Sequence, residues 1–287
     1  MARGKNPVPF SIYWKGYDNL MRSPYNIKVK EPKKFRQGLV PYAIAEDINP
    51  EDVDLSSFEI QKDLNPKLWK NGKLDTRIRL LLLDIADDFI ASCDDLRRSN
   101  IIDIVITGSL CNYNWNNEFS DVDLHVVVDG QYPSAKQCAK KWNGSHKDIR
   151  ICGFPLELYV QDENEKLFAA GVFSLDTNEW LKVPDREKLE KHGIDDGTVK
   201  ATVAKYINAI DKTKRIADKG GDYNERRAER RANNIFTDIK AMRKDGFSRD
   251  TDELNPQNIA FKKLRRDGYI EKISKIRDKA YDRLHSL

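Results

Sequence analysis

The stretch DVDLHVVVD, residues 121–129, constrains this chain more than any other. Leu124, Val126, Val127 and Val128 form an apolar run that belongs in a sheet interior. Side chains alternate across an extended strand, so Asp121 and Asp123 project from one face with Val122 opposite. Carboxylates seldom sit beside such a run unless a cation offsets their charge. The strand therefore predicts a site that holds a hard cation.

The neighbouring elements follow from pattern. Leu74, Ile78, Leu81, Leu82, Ile85, Phe89 and Cys93 recur at helical spacing and predict an amphipathic helix. IIDIVIT, residues 101–107, is a β-branched strand that ends at Gly108-Ser109 and a polar loop, CNYNWNNEFS. After the DVDLHVVVD strand, Ser134 to Trp142 reads as a short helix and FPLELYVQD as a third strand. This order implies a mixed sheet with helices on one face, an α+β core. Beyond Pro184 the chain turns helical and basic. Helices are expected over 198–219 and 223–244, and again after Asn255-Pro256, where Gly268 ends one helix before another begins.

These patterns suggest three parts: an extended, proline-rich basic arm over 1–65, a core over 66–190 and a basic helical domain over 191–287. Net charge follows the same division, +7 over residues 1–40, −12 over 41–196 and +9 over 197–287. An acidic middle with basic flanks suits a metal-using core whose ends attract polyanions. The four cysteines lack zinc-site spacing and read as free, mostly buried thiols. The apolar runs are too short to cross a bilayer, and MARGKNPVPF has no apolar segment, so a cytoplasmic protein without membrane partners is expected.

Glu157 is the only charged residue in the apolar core of FPLELYVQD, and a neighbouring strand would bring it beside Asp121 and Asp123. Three carboxylates there would repel one another unless metal filled the gap. Gly108-Ser109 supplies backbone N–H groups and a hydroxyl for phosphate oxygens. The competing reading makes Asp121 a cap or turn residue and leaves Glu157 at a strand edge.

TGS, then SDVDLHVVVD, then a strand bearing a lone carboxylate resembles the nucleotidyltransferase superfamily of DNA polymerase β over about residues 74–162. Small nucleotidyltransferase-like proteins of phages and bacteria are similar over this stretch. The resemblance implies that Asp121, Asp123 and Glu157 ligate Mg²⁺ (or Mn²⁺), that Glu157 helps deprotonate an acceptor hydroxyl, and that Gly108 and Ser109 grip the β- and γ-phosphates of a nucleoside triphosphate. A nucleoside monophosphate would pass to an RNA end, a protein, a nucleotide or a small molecule, with pyrophosphate released. The chain departs from many members in its aromatic, amide-rich loop, where Tyr113 and Trp115 either stack on a base or fix the loop to the body.

Two basic stretches suit RNA or another polyanion. Glutamates interleave RRAERR at Arg226–Arg231, which favours paired surface charge, whereas KKLRR at Lys262–Arg266 is the better phosphate contact. His125 shares a face with the aspartates but reads as structural, and Asp129 as a turn residue. The alternatives to an enzyme are a catalytically inactive nucleotide- or nucleic-acid-binding module, or a phage structural or host-interaction protein that keeps the fold.

Overall fold

The computed structural model describes residues 47–165, 169–247 and 254–285. Residues 1–46 of the expected N-terminal arm lie outside the described residues. Residues 48–287 cluster as one compact unit. It is mixed α/β, with a six-stranded sheet and, among the described residues, seven helices.

The chain enters through short 3₁₀ turns at Pro50–Asp52 and Ser56–Phe58, tied to the helical region where Ile48 exchanges two backbone bonds with the Asn208 amide, at 2.8 and 3.0 Å. Strands β1 (Trp69–Lys70) and β2 (Lys73–Leu74) form a small hairpin whose Asn71-Gly72 turn takes positive φ at both residues. Helix α1 (Thr76–Ala91) follows, its Asp75 cap accepting from the Arg77 N–H. It is shorter than the apolar spacing suggests, because Leu74 is used in β2. Leu81 is 46% exposed; Ile78, Leu82, Ile85, Ala86, Phe89 and Ile90 form the buried stripe.

Strand β3 (Ile101–Thr107) pairs antiparallel with β4 (Val122–Val128). Helix α2 (Pro133–Ser145) then carries the chain across. The return hairpin, β5 (Arg150–Ile151) and β6 (Phe154–Asp162), places β6 parallel to β4. Two further strands, β7 (Val172–Ser174) and β8 (Glu179–Lys182), extend the far side, giving the order β5-β6-β4-β3-β7-β8. A short helix α3 (Arg186–His192) leads to four C-terminal helices: α4 (Asp196–Asp218), α5 (Asp222–Phe247), α6 (Pro256–Arg266) and α7 (Tyr269–His285). The last four pack on one another through apolar faces that include Val203, Ile207, Ile239, Leu264 and Ile273, all buried. No helix among the described residues is long and apolar enough to cross a membrane.

The alternation expected for β4 is realised on both its faces. Val122, Leu124, Val126 and Val128 are buried in one core with α1 and α2, where Phe89 meets Trp142 edge to face at 6.2 Å. The Asn143 amide donates to the Leu158 carbonyl at 2.8 Å and accepts its N–H at 3.0 Å, covering the β6 backbone beyond the short β5. Of the cysteines, Cys93 and Cys111 are buried, Cys138 is half-buried and Cys152 is exposed in the β5–β6 turn. Leu124 is fully buried directly behind the acidic face. Leu124→Ala is expected to cost about 3 kcal/mol in urea unfolding.

Candidate metal centre

β3 and β4 deliver Gly108 and Asp123 to adjacent points, since Thr107 is the cross-strand partner of Asp123. Gly108 adopts φ 77° and ψ −162°, a conformation almost reserved for glycine. A Cβ on Gly108 would overlap an Asp123 carboxylate oxygen and lie 3.0 Å from its Cγ. The glycine therefore makes room for the carboxylate itself. Directly after it, Ser109–Cys111 forms one 3₁₀ turn, and the Ser109 hydroxyl bonds that of Ser120 at 2.8 Å.

The parallel register of β4 and β6 sets Asp123 opposite Glu157, with Asp121 at the head of the same face. Single carboxylate oxygens of Asp121, Asp123 and Glu157 lie within 4.8 Å of one another, and all three residues are half-buried. The donor set is oxygen alone, which fits a hard divalent cation of the Mg²⁺ type and not a zinc site. Burial pushes the Glu157 carboxyl above the usual carboxylate range, and Asp121 adds to this; the Tyr159 hydroxyl, Arg265 and Arg243 pull it back down. Burial also holds the Tyr159 phenol well above its ordinary value, with the charges of Asp123, Glu157 and Asp121 acting in the same direction. Bringing a cation among these groups would relieve both effects.

Farther along the same face, His125 stacks on Tyr159 with centroids 4.8 Å apart and bonds the Gln161 side-chain oxygen at 2.9 Å. Burial lowers its imidazole from 6.5 to about 4, so it is neutral at pH 7, as a structural histidine should be. Between those two values the unfolded chain takes up a proton that the folded chain refuses, so stability falls as pH falls. Glu157 acts in the opposite sense, since its folded form takes a proton more readily than its unfolded form. Urea unfolding without metal should show His125 removing about 2 kcal/mol between pH 7 and pH 5, and His125→Phe should flatten that limb. Asp129 sits just past β4 and accepts from the Tyr132 hydroxyl at 2.9 Å, the local turn role expected of it.

The loop after Ser109 is fastened to the body. The Trp115 indole donates to the Asp63 carbonyl at 2.9 Å, and the Gln61 N–H to the Tyr113 carbonyl at 2.7 Å. Of the two roles open to Trp115, the structure displays the anchoring one.

A cleft opens beside the acidic face, lined by Ser109, Asn114, Phe119 and Asp121 on one side and by Leu254, Ile259, Lys262, Arg265 and Arg266 on the other, with Phe58 at its edge. Lys262, Arg265 and Arg266 of KKLRR thus share the cleft with Asp121. RRAERR lies on α5, where Arg231 reaches the Thr213 hydroxyl at 3.4 Å and Glu225, just before it, pairs with Arg283 at 3.4 Å. Sequence reasoning missed Phe58 and Arg243 altogether. Neither carries a local signal, because each reaches the site only through long-range packing.

Compared with known proteins, the chain matches no family model, no curated protein and no solved structure.

Proposed function

We propose that the chain is a divalent-metal-dependent nucleotidyltransferase similar to the DNA polymerase β superfamily. The observation that carries this reading is the convergence of Asp121, Asp123 and Glu157 next to the Gly108-Ser109 turn. Asp121, Asp123 and Glu157 would hold Mg²⁺ or Mn²⁺, which when bound neutralises phosphate oxygens and stabilises charge on the leaving group. The reaction joins the acceptor hydroxyl oxygen to the α-phosphorus of a nucleoside triphosphate and breaks the bond from that phosphorus to the bridging oxygen. Pyrophosphate leaves with that oxygen, and the hydroxyl proton passes to a base.

Glu157 would complete the metal site and, lying directly across from Asp123 on the neighbouring strand, is placed to help take the proton of the acceptor hydroxyl. Gly108 and Ser109, at the start of a 3₁₀ turn beside Asp123, would supply backbone N–H groups and a hydroxyl to phosphate oxygens. The cleft between the sheet and α6 suits the nucleotide, and the basic C-terminal helices favour RNA or another polyanion as acceptor. Incubation with Mg²⁺ and each α-labelled triphosphate, alone and with total RNA, tests the reading. Transfer of label to an acceptor is expected. Tight triphosphate binding without transfer to any acceptor would replace the enzyme with a nucleotide-binding module.

A further inference from the structure

Arg266, the last residue of α6, is committed to the protein itself. Its guanidinium lies over two rings, 3.9 Å from the Phe58 centroid and 4.6 Å from that of Phe119. It also donates to the Ser57 carbonyl at 2.8 Å and to the Ser57 hydroxyl at 2.9 Å. Burial, with Arg265 beside it, lowers the guanidinium to about 10, so it is charged at pH 7; Asp121, Asp267 and Glu118 act in the opposite direction. One side chain thus joins three separate stretches of sequence: α6, the entry segment at Ser57-Phe58 and the loop that ends at Asp121.

The loop is tied to the same point by its own groups. The Asn116 amide donates to the Ser57 carbonyl at 3.4 Å, so that one oxygen serves both the loop and α6. The Asn116 backbone N–H donates to the Ser120 hydroxyl at 2.9 Å, and that hydroxyl meets the one of Ser109 at 2.8 Å. Ser120 is buried immediately before Asp121. A hydrogen-bonded path therefore runs from α6 through Ser57, Asn116 and Ser120 to the Ser109 turn, while Phe119 links α6 to the head of β4. Metal ligands take their aim from the groups behind them, and loss of such a support weakens metal binding. We propose that Arg266 is a positioning residue for the carboxylate site, a clamp that sets Asp121 and Ser109 by holding their loop to α6 and the entry segment. The inference rests on the metal centre of the nucleotidyl-transfer reading and adds to it a residue that acts through the loop.

Mn²⁺ binding to the full chain, followed by electron paramagnetic resonance, is the readout, with circular dichroism and melting to establish that each variant is folded. Arg266→Lys keeps the charge near Asp121 and loses the planar, forked contact, so a change in affinity reports position and not field. It should weaken Mn²⁺ binding by about tenfold. Phe119→Leu is the milder variant: it removes one ring, leaves both Ser57 bonds in place, and should weaken binding by about threefold. Parent-like Mn²⁺ affinity in folded Arg266→Lys or in Phe119→Leu would overturn the clamp and leave the metal centre standing. A parent chain that does not bind Mn²⁺ would overturn both. Because transfer is not the readout, a chain that binds Mn²⁺ and transfers no label loses the enzyme reading without touching this test.

Discussion

Replacing Asp121 and Asp123 together with alanine is expected to reduce nucleotidyl transfer by at least about 1,000-fold, the loss of several kcal/mol of transition-state stabilisation. The expectation follows from the shared face of β4, where both aspartates lie within 4.8 Å of a Glu157 oxygen. Glu157 alone supplies one ligand, which does not hold Mg²⁺ against water. Melting temperature is the independent readout. Mg²⁺ and triphosphate together should raise it in the parent chain more than either alone, because each completes the other's site, and should not raise it in the variant. Loss of transfer with ligand-induced stabilisation intact would mean that the aspartates serve the chemistry without holding metal. Retained transfer in the double variant would end the proposed function.

The second large effect is expected at Gly108. Alanine there must place its Cβ where an Asp123 carboxylate oxygen now lies, in a conformation with φ 77° that disfavours any side chain. Either Asp123 rotates away from Asp121 and Glu157, or the β3 end shifts and takes Ser109 with it. Gly108→Ala should therefore cost about 2–4 kcal/mol of stability and lower Mn²⁺ affinity by about tenfold or more. A double-mutant cycle separates clash from backbone strain. In an Asp123→Ala background the stability cost of Gly108→Ala should shrink by at least about 1 kcal/mol, since the overlapping oxygen is gone. An undiminished cost would assign the whole effect to the backbone and remove the packing argument for Gly108.

The strands β3, β4 and β6 and the C-terminal helices were legible because each carries a strong local period or an unambiguous cap. Asn255-Pro256 starts α6 by capping, with the Asn255 side chain accepting from the Gln257 N–H, and Gly268 at φ 76° separates α6 from α7. The juxtaposition of Asp121, Asp123 and Glu157 was legible for the same reason: alternation put each on a definite face, leaving only the strand neighbours to be supplied. Leu81 was placed on the buried face of α1 because helical spacing gives the direction of a face and not its width. Strands β7 and β8 left no trace. Val172–Ser174 is too short for a period, and Glu179–Lys182 is largely exposed. The Arg266 clamp was unreadable for a different reason, since Ser57, Phe58 and Phe119 are brought to it by tertiary contacts that no local pattern encodes.

The parallel pairing of β4 with β6 has a kinetic consequence. A β3–β4 hairpin can form from near neighbours and already presents Asp121 and Asp123. Glu157 joins them only after the segment 129–153 has looped across and docked, a non-local closure that comes slowly. A complete ligand set is thus a late product of folding, and a bound ion would act mainly as a brake on unfolding, with little influence on how fast the chain first finds its shape.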